Sequence, residues 1–214
     1  MNLIDAAAMP SSSGMIDLGP LLAPLAEANV ALGALDPNTP QGRAYTRKAS
    51  QLVASAPETA GFYLWGAHNA EGLWNSIYLG KAGHGRASNL RARLLEELRD
   101  ERCCMVEPLL GREVLMTHGE RLYPNMWQIY RKHWERSLLK TGTTHIAWVA
   151  MALAPEQISD VEACLIEVFQ PRANRQRPAP RVECRSITNA IEVLMRAQVS
   201  RASPSRPKSG SARE

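Results

Sequence analysis

Two phenols, Tyr63 and Tyr78, a lysine, Lys81, and an arginine, Arg93, fall in the stretch from Gly61 to Arg93. Hydroxyls of this kind hydrogen-bond water and anionic oxygens, and ammonium and guanidinium groups neutralise them, so the set suits the handling of an anionic substrate. Later, Glu162 supplies a carboxylate within a helical pattern and Asn174 an amide in the loop just beyond it, twelve residues on.

The elements that position these groups can be read from periodicity. Gly61 to Trp65 and Asn75 to Gly80 alternate side-chain type with period two around the turn formers of Ala67 to Gly72, which predicts a β-hairpin. In the first strand Tyr63 and Trp65 share one face, and Phe62 and Leu64 the other. In the second, Ile77 and Leu79 oppose Tyr78. Burying the aliphatic faces together leaves Tyr63 and Tyr78 looking into one cleft. After the basic Gly80-Lys81-Ala82-Gly83 exit, Ser88 is the expected N-cap of a helix over Asn89 to Arg102, with Leu90, Leu94, Leu98 and Leu95 inward. Arg93 flanks that stripe and can point back at the tyrosines.

A chain of 214 residues with 45% hydrophobic composition builds one core with additions. The net charge of +4 favours a polyanionic partner, and the charges cluster: five basic residues between Lys81 and Arg99, and five arginines between Arg172 and Arg185. Cys103, Cys104, Cys164 and Cys184 form no C-x-x-C pair, and the start lacks a secretory pattern. Small buried or inert thiols in a reducing, cytoplasmic compartment are expected, with no membrane span and no zinc cluster among the scattered histidines.

Residues 1–57 read as an arm, with an irregular helix over Leu18 to Leu35 and a short helix from Arg43 to Ala54. Trp127, Tyr130, Trp134 and Leu138 mark an amphipathic helix over 127–140, with Arg131, Lys132, Arg136 and Lys140 on its other face. Thr143 to Ala152 is a largely apolar run, expected as a central strand. Pro155 opens a helix whose stripe is Val161, Cys164, Leu165, Val168 and Phe169, and Pro171 ends it. A helix over Ser186 to Gln198 turns Ile187, Ile191, Leu194 and Met195 inward to pack on the domain, a homodimer contact being the alternative. The tail 199–214 has the composition of a disordered basic segment.

Gly61-Phe62-Tyr63, then Tyr78-Leu79-Gly80 with Lys81, then Asn89-Leu90 and Arg93, and finally Glu162, Leu165-Ile166, Pro171 and Asn174 together resemble the GIY-YIG endonuclease superfamily. No three-residue piece is specific, but the elements come in order over roughly residues 58–178. The resemblance implies an α/β (α+β) fold with a small central three-stranded antiparallel sheet flanked by helices. In this chain a helical insertion, 103–142, would separate the arginine helix from the third strand. It also implies a metal-dependent DNA endonuclease, in which Glu162 holds one Mg²⁺ or Mn²⁺ and no second carboxylate is paired with it. Tyr63 would activate water, with Lys81 and Arg93 favouring its phenolate or orienting the water. Tyr78 would position the scissile phosphate or share that role. Arg93 would clamp non-bridging oxygens, and Asn174 would hydrogen-bond near Glu162 or a phosphate. Arg86, Arg91, Arg131, Lys132, Arg136, Arg172, Arg175 and Arg177 are candidate contacts to double-stranded DNA. A stand-alone, restriction-type enzyme is the closest analogy, and one that cuts both strands would dimerise whereas a nicking monomer fits the same residues.

One departure bears on activity. Family members often carry a tyrosine or histidine one turn after the helix arginine, and Glu97 stands there in this chain. His84, His133 or His145 would have to take its place in space. The alternative to the enzyme is a catalytically weakened DNA-binding or interaction module on the same fold.

Overall fold

The computed structural model describes residues 4–5, 10–21, 40–83, 89–99, 143–174 and 177–202. At its centre is the expected hairpin, β3 (Gly61–His68) and β4 (Trp74–Ala82), paired antiparallel. Asn69 closes the turn: its Oδ1 accepts from the Glu71 and Leu73 amides, and Gly72 takes the positive φ that reversal requires. The other edge of β3 pairs antiparallel with β5 (His145–Ala150), whose alternate residues are covered on both sides as its apolar run predicts.

The sheet has four strands rather than three. β2 (Ser12–Asp17) pairs antiparallel with β5, giving the order β2-β5-β3-β4. A composition rich in small residues suggests an arm, but Ile16 is buried and Gly14 lies flat on the Trp148 ring, so the segment adds a strand where side-chain bulk would block it. A second, parallel pair joins β1 (Ile4–Asp5) to β6 (Val182–Glu183). The architecture is therefore a mixed α/β one, with helices beside a four-stranded antiparallel sheet.

One face of the sheet carries Tyr63, Trp65, Tyr78, Ile146 and Trp148, covered by α1 (Pro40–Leu52), the 3₁₀ turn Val53–Ser55 and α2 (Leu90–Arg99). The stripe Leu90, Leu94 and Leu98 is fully buried there, and Tyr45 of α1 donates to the Leu98 carbonyl. The other face, Phe62, Leu64, Leu79, Ala147 and Val149, packs against α3 (Pro155–Phe169) and α4 (Arg185–Ala202). Ile77 departs from the expected alternation. A bulge between the Trp65–Tyr78 and Gly66–Ser76 pairs leaves it as the extra residue, and it joins Tyr78 in the core under α2 instead of Leu79 on the opposite face.

Local signals hold in type and shift in position. Asn89 precedes α2 and its Oδ1 accepts from the Ala92 amide, the third of the helix. Pro155 does begin α3, and the Gln157 side chain accepts from the Ala154 amide. Ile158 and Ile166 of that helix are buried, whereas Val168 is 48% exposed, because the stripe drifts round the helix away from the sheet at its C-terminal end. α4 runs on to Ala202, beyond the point where a tail was expected. Cys164 and Cys184 form a disulfide that ties α3 to the start of α4, so neither is the inert thiol that reading in isolation suggests. Among the described residues no helix is long and apolar enough to cross a membrane. The readings for 22–39, Ser88, 103–142 and 203–214 lie outside the described residues.

Candidate active site

Two glycines explain how the phenols are seated. A side chain at Gly61 would be driven into the Val149 carbonyl and Leu90, so glycine lets β3 lie close to both β5 and α2. Gly80 pairs with Tyr63 across the hairpin, and a Cβ there would strike the Tyr63 ring and hydroxyl. The bare backbone at Gly80 is thus a seat over which the Tyr63 ring lies, its phenol carried out across the edge strand β4. Tyr78 stands beside it on the same face, with ring centroids 6.3 Å apart. The two phenols lie side by side within the core under α1 and α2, Tyr63 fully buried and Tyr78 with 9% exposure, where the sequence pattern predicts an open cleft.

Arg93 reaches the phenols from α2. Its Nε donates to the Tyr63 hydroxyl at 3.2 Å, Nη1 pairs with Glu96 at 2.8 Å and Nη2 with Glu97 at 2.6 Å. Tyr63 in turn donates to the same Glu97 oxygen at 3.0 Å. The result is a closed triangle of phenol, guanidinium and carboxylate in which each group meets the other two.

Burial governs the electrostatics of that triangle. The Glu97 side chain is 1% exposed, and desolvation pushes its carboxyl from 4.5 up to about 7, against the opposing pull of Arg93 and the Tyr63 hydrogen bond. Desolvation, reinforced by the charge of Glu97, also holds the Tyr63 phenol well above its usual 10.0, despite Arg93. In this arrangement Tyr63 keeps its proton and gives it to Glu97 as a hydrogen bond, and a resting phenolate is disfavoured.

Lys81 and Glu162 meet on the opposite face of the sheet. Lys81 pairs with Phe62 in the hairpin register, and its Nζ bonds Glu162 Oε2 at 2.8 Å and Ser159 Oγ at 3.0 Å, one turn earlier on α3. Both side chains are about a quarter exposed, at 26% and 23%. Among the described residues no group of three His, Cys, Asp or Glu side chains is placed to hold a metal. A single carboxylate with water and phosphate oxygens still satisfies Mg²⁺ chemistry, so Glu162 fits that ion only as a sparse ligand, with the Lys81 ammonium beside it.

Asn174 faces the backbone of β4. Its Oδ1 accepts from the Leu79 amide at 2.8 Å and its Nδ2 donates to the Leu79 carbonyl at 2.9 Å. The Ala173 amide bonds the Ile77 carbonyl beside it, so the segment after α3 runs along the outer edge of β4 like a short extra strand. Asn174 thus fastens the end of the Glu162 helix to the strand that carries Tyr78 and Lys81, a contact the sequence reading did not foresee.

Of the candidate DNA contacts, Arg91 is committed to the fold: it donates to the Ala56 carbonyl and pairs with Glu58 at 2.7 Å. Arg172 is exposed with its amide toward the Ser76 carbonyl, and Arg177 is exposed and bonded to Gln170. Arg86, Arg131, Lys132, Arg136 and Arg175, with His84 and His133, lie outside the described residues. His145 lies next to Thr144 and His68, opposite Gly66, on the face away from the tyrosines, so it does not stand in for the helix partner of Arg93.

Glu97 is the residue that the motif reading undervalued. It falls two turns after Leu90 and so on the buried stripe, and a carboxylate at such a position signals a paired interior charge. Comparison with protein-family models, with curated proteins and with solved structures gave no match.

Proposed function

We propose that this protein is a metal-dependent endonuclease of the GIY-YIG type that hydrolyses phosphodiester bonds in double-stranded DNA. The observation that carries the reading is that β4 bears both sets of motif residues, Tyr63, Tyr78 and Arg93 meeting on one face and the Lys81–Glu162 pair on the other. β4 is the outermost strand of the sheet and residues 172–174 cover its edge from Ser76 to Leu79, so a phosphodiester engaging both sets would lie over the end of β4 from Gly80 onward.

A divalent ion held by Glu162 would supply charge neutralisation and an acidified water. The remaining work falls to side chains of this chain. Tyr78, the more exposed phenol, orients the attacking water or the scissile phosphate. Arg93 and Lys81 offset the charge that builds on the non-bridging oxygens, and the leaving 3′-oxygen takes its proton from solvent. Tyr63, closed in by Gly80, Arg93 and Glu97, acts as a support for the guanidinium.

One observation favours a second reading. Each guanidinium nitrogen of Arg93 already has an acceptor in the protein, so a phosphate meets an arginine whose charge is partly offset by Glu96 and Glu97. A binding module with weakened or lost cleavage uses the same residues with that arrangement intact. Incubating supercoiled plasmid with the purified protein and Mg²⁺ separates the two: nicking or linearisation lost in Glu162→Ala supports the enzyme, and tight DNA binding without cleavage supports the module.

A further inference from the structure

We infer that Glu97 is the positioning residue for Arg93, fixing the plane of its guanidinium against the Tyr63 phenol so that the arginine meets a phosphate in one orientation. The inference rests on the nuclease reading for what Arg93 is positioned to do, while the positioning itself is a property of the fold.

The geometry is specific to this pair. Glu97 lies one helical turn after Arg93, and its Oε1 accepts both Arg93 Nη2 and the Tyr63 hydroxyl, while Tyr63 accepts Arg93 Nε. Two edges of the guanidinium are thus referenced to a phenol and a carboxylate that are themselves immobilised in the core, with exposures of 0% and 1%. A planar fork held at two edges loses its rotational freedom before substrate arrives. Glu96 grips Nη1 from the 30% exposed side and is the more easily exchanged contact.

Among the described residues, the titratable and charged groups facing Glu97 are Arg93 and Glu96 of its own helix and Tyr63 of β3, with Tyr78 of β4 beyond that phenol. The carboxyl, raised by burial to about 7, changes charge near neutral pH, so the grip on Arg93 tightens as pH rises through that value.

The test uses the full chain with Glu97→Gln, Arg93→Lys and the double variant. Wild type is expected to show slowed rotation of the Arg93 guanidinium in ¹⁵N NMR at pH 8, lost in Glu97→Gln. Single-turnover plasmid cleavage should rise through about pH 7 in wild type. In Glu97→Gln it should lose that inflection and fall about 10- to 100-fold, with DNA affinity changed less than about threefold. The double variant should cleave no more slowly than Arg93→Lys alone, because both disrupt one unit. Unchanged guanidinium rotation in Glu97→Gln overturns the positioning role whatever the chain does to DNA, as does a multiplicative loss in the double variant. Restricted rotation in a wild type that cuts no DNA leaves the positioning intact and removes the nuclease reading instead. Should Glu97→Gln fail to fold, Glu97→Asp carries the test: the shorter carboxylate should free the guanidinium to rotate faster, and unchanged rotation overturns the inference.

Discussion

Arg93 Nη2 and Glu97 Oε1 lie 2.6 Å apart, one turn from each other on α2, with the carboxylate sealed in the core and the guanidinium partly open to solvent. A buried carboxylate is costly, and this one lies beside the residue that the nuclease reading assigns to phosphate. The pair thus ties the stability of the fold to the position of that arginine.

The stability consequence has a definite sign. The folded carboxyl of Glu97 titrates at about 7 and the unfolded one at about 4.5, so between those values the folded chain binds the extra proton. Stability therefore falls as pH rises from about 4.5 to about 7, by as much as about 3 kcal/mol. Urea titrations across that range should show this slope in wild type and a flatter one in Glu97→Gln. A wild-type stability that climbs through the same window would contradict the buried, raised carboxyl.

Gly80→Ala should be disruptive out of proportion to its size. The added methyl enters the space of the Tyr63 ring and hydroxyl, which Glu97 and Arg93 hold in place. A loss of about 2 kcal/mol or more is expected, within the range for overpacked sites. Tyr63→Leu introduced with it should recover part of that loss. A Gly80→Ala protein as stable as wild type would mean that Tyr63 does not lie over the edge strand.

Much of this was legible in the residues. The hairpin, the strand over 145–150 and the helix beginning at Pro155 each follow from period and punctuation, which act locally. The four-stranded sheet did not follow, because β2 is defined by pairing with β5, far along the chain, and its Ser-rich composition gives no strand signal of its own. Ile77 was misplaced for a related reason: a bulge shifts the alternation by one residue and leaves no mark in the pattern. Among the motif residues, the sequence names the side chains but not their partners. Asn174 bonding Leu79 and Glu97 bonding Tyr63 are contacts between distant segments, and side-chain type alone does not choose among acceptors. The Cys164–Cys184 bond went unforeseen because twenty intervening residues say nothing of spatial approach.

Asn174→Leu should loosen β4 at one place. Losing both bonds to Leu79 leaves that edge amide and carbonyl to solvent or to nothing, at about 1–3 kcal/mol. Hydrogen exchange of the Leu79 amide should accelerate while those of β5 stay protected. Equal protection of Leu79 in the variant would show that Asn174 does not fasten this edge.

Reduction of the Cys164–Cys184 bond should lower stability by about 3 kcal/mol, the chain-entropy value for a loop of this length. The melting temperature with and without a thiol reductant gives the measurement. No difference between a fully oxidised and a fully reduced sample would leave the bond without a role in holding α3 to α4.

Lys81→Met should raise the affinity of the DNA-free protein for Mn²⁺, since it removes an ammonium 2.8 Å from Glu162. The pair itself is partly exposed and should contribute less than about 1 kcal/mol to stability in a double-mutant cycle. Calorimetric titration of Mn²⁺ into wild type, Lys81→Met and Glu162→Gln would show weak, stronger and no binding in that order. Binding that survives Glu162→Gln would place any cation elsewhere.

The central claim is most directly tested by plasmid cleavage in Mg²⁺ by wild type, Glu162→Ala and Arg93→Ala, with DNA binding measured in parallel. The account predicts that wild type nicks or linearises the plasmid, and that both variants bind DNA within about threefold of wild type but cut it at least about 100-fold more slowly. Cleavage that persists at the wild-type rate in Glu162→Ala, or a wild type that folds and binds DNA but never cuts it across metals and pH, would contradict it.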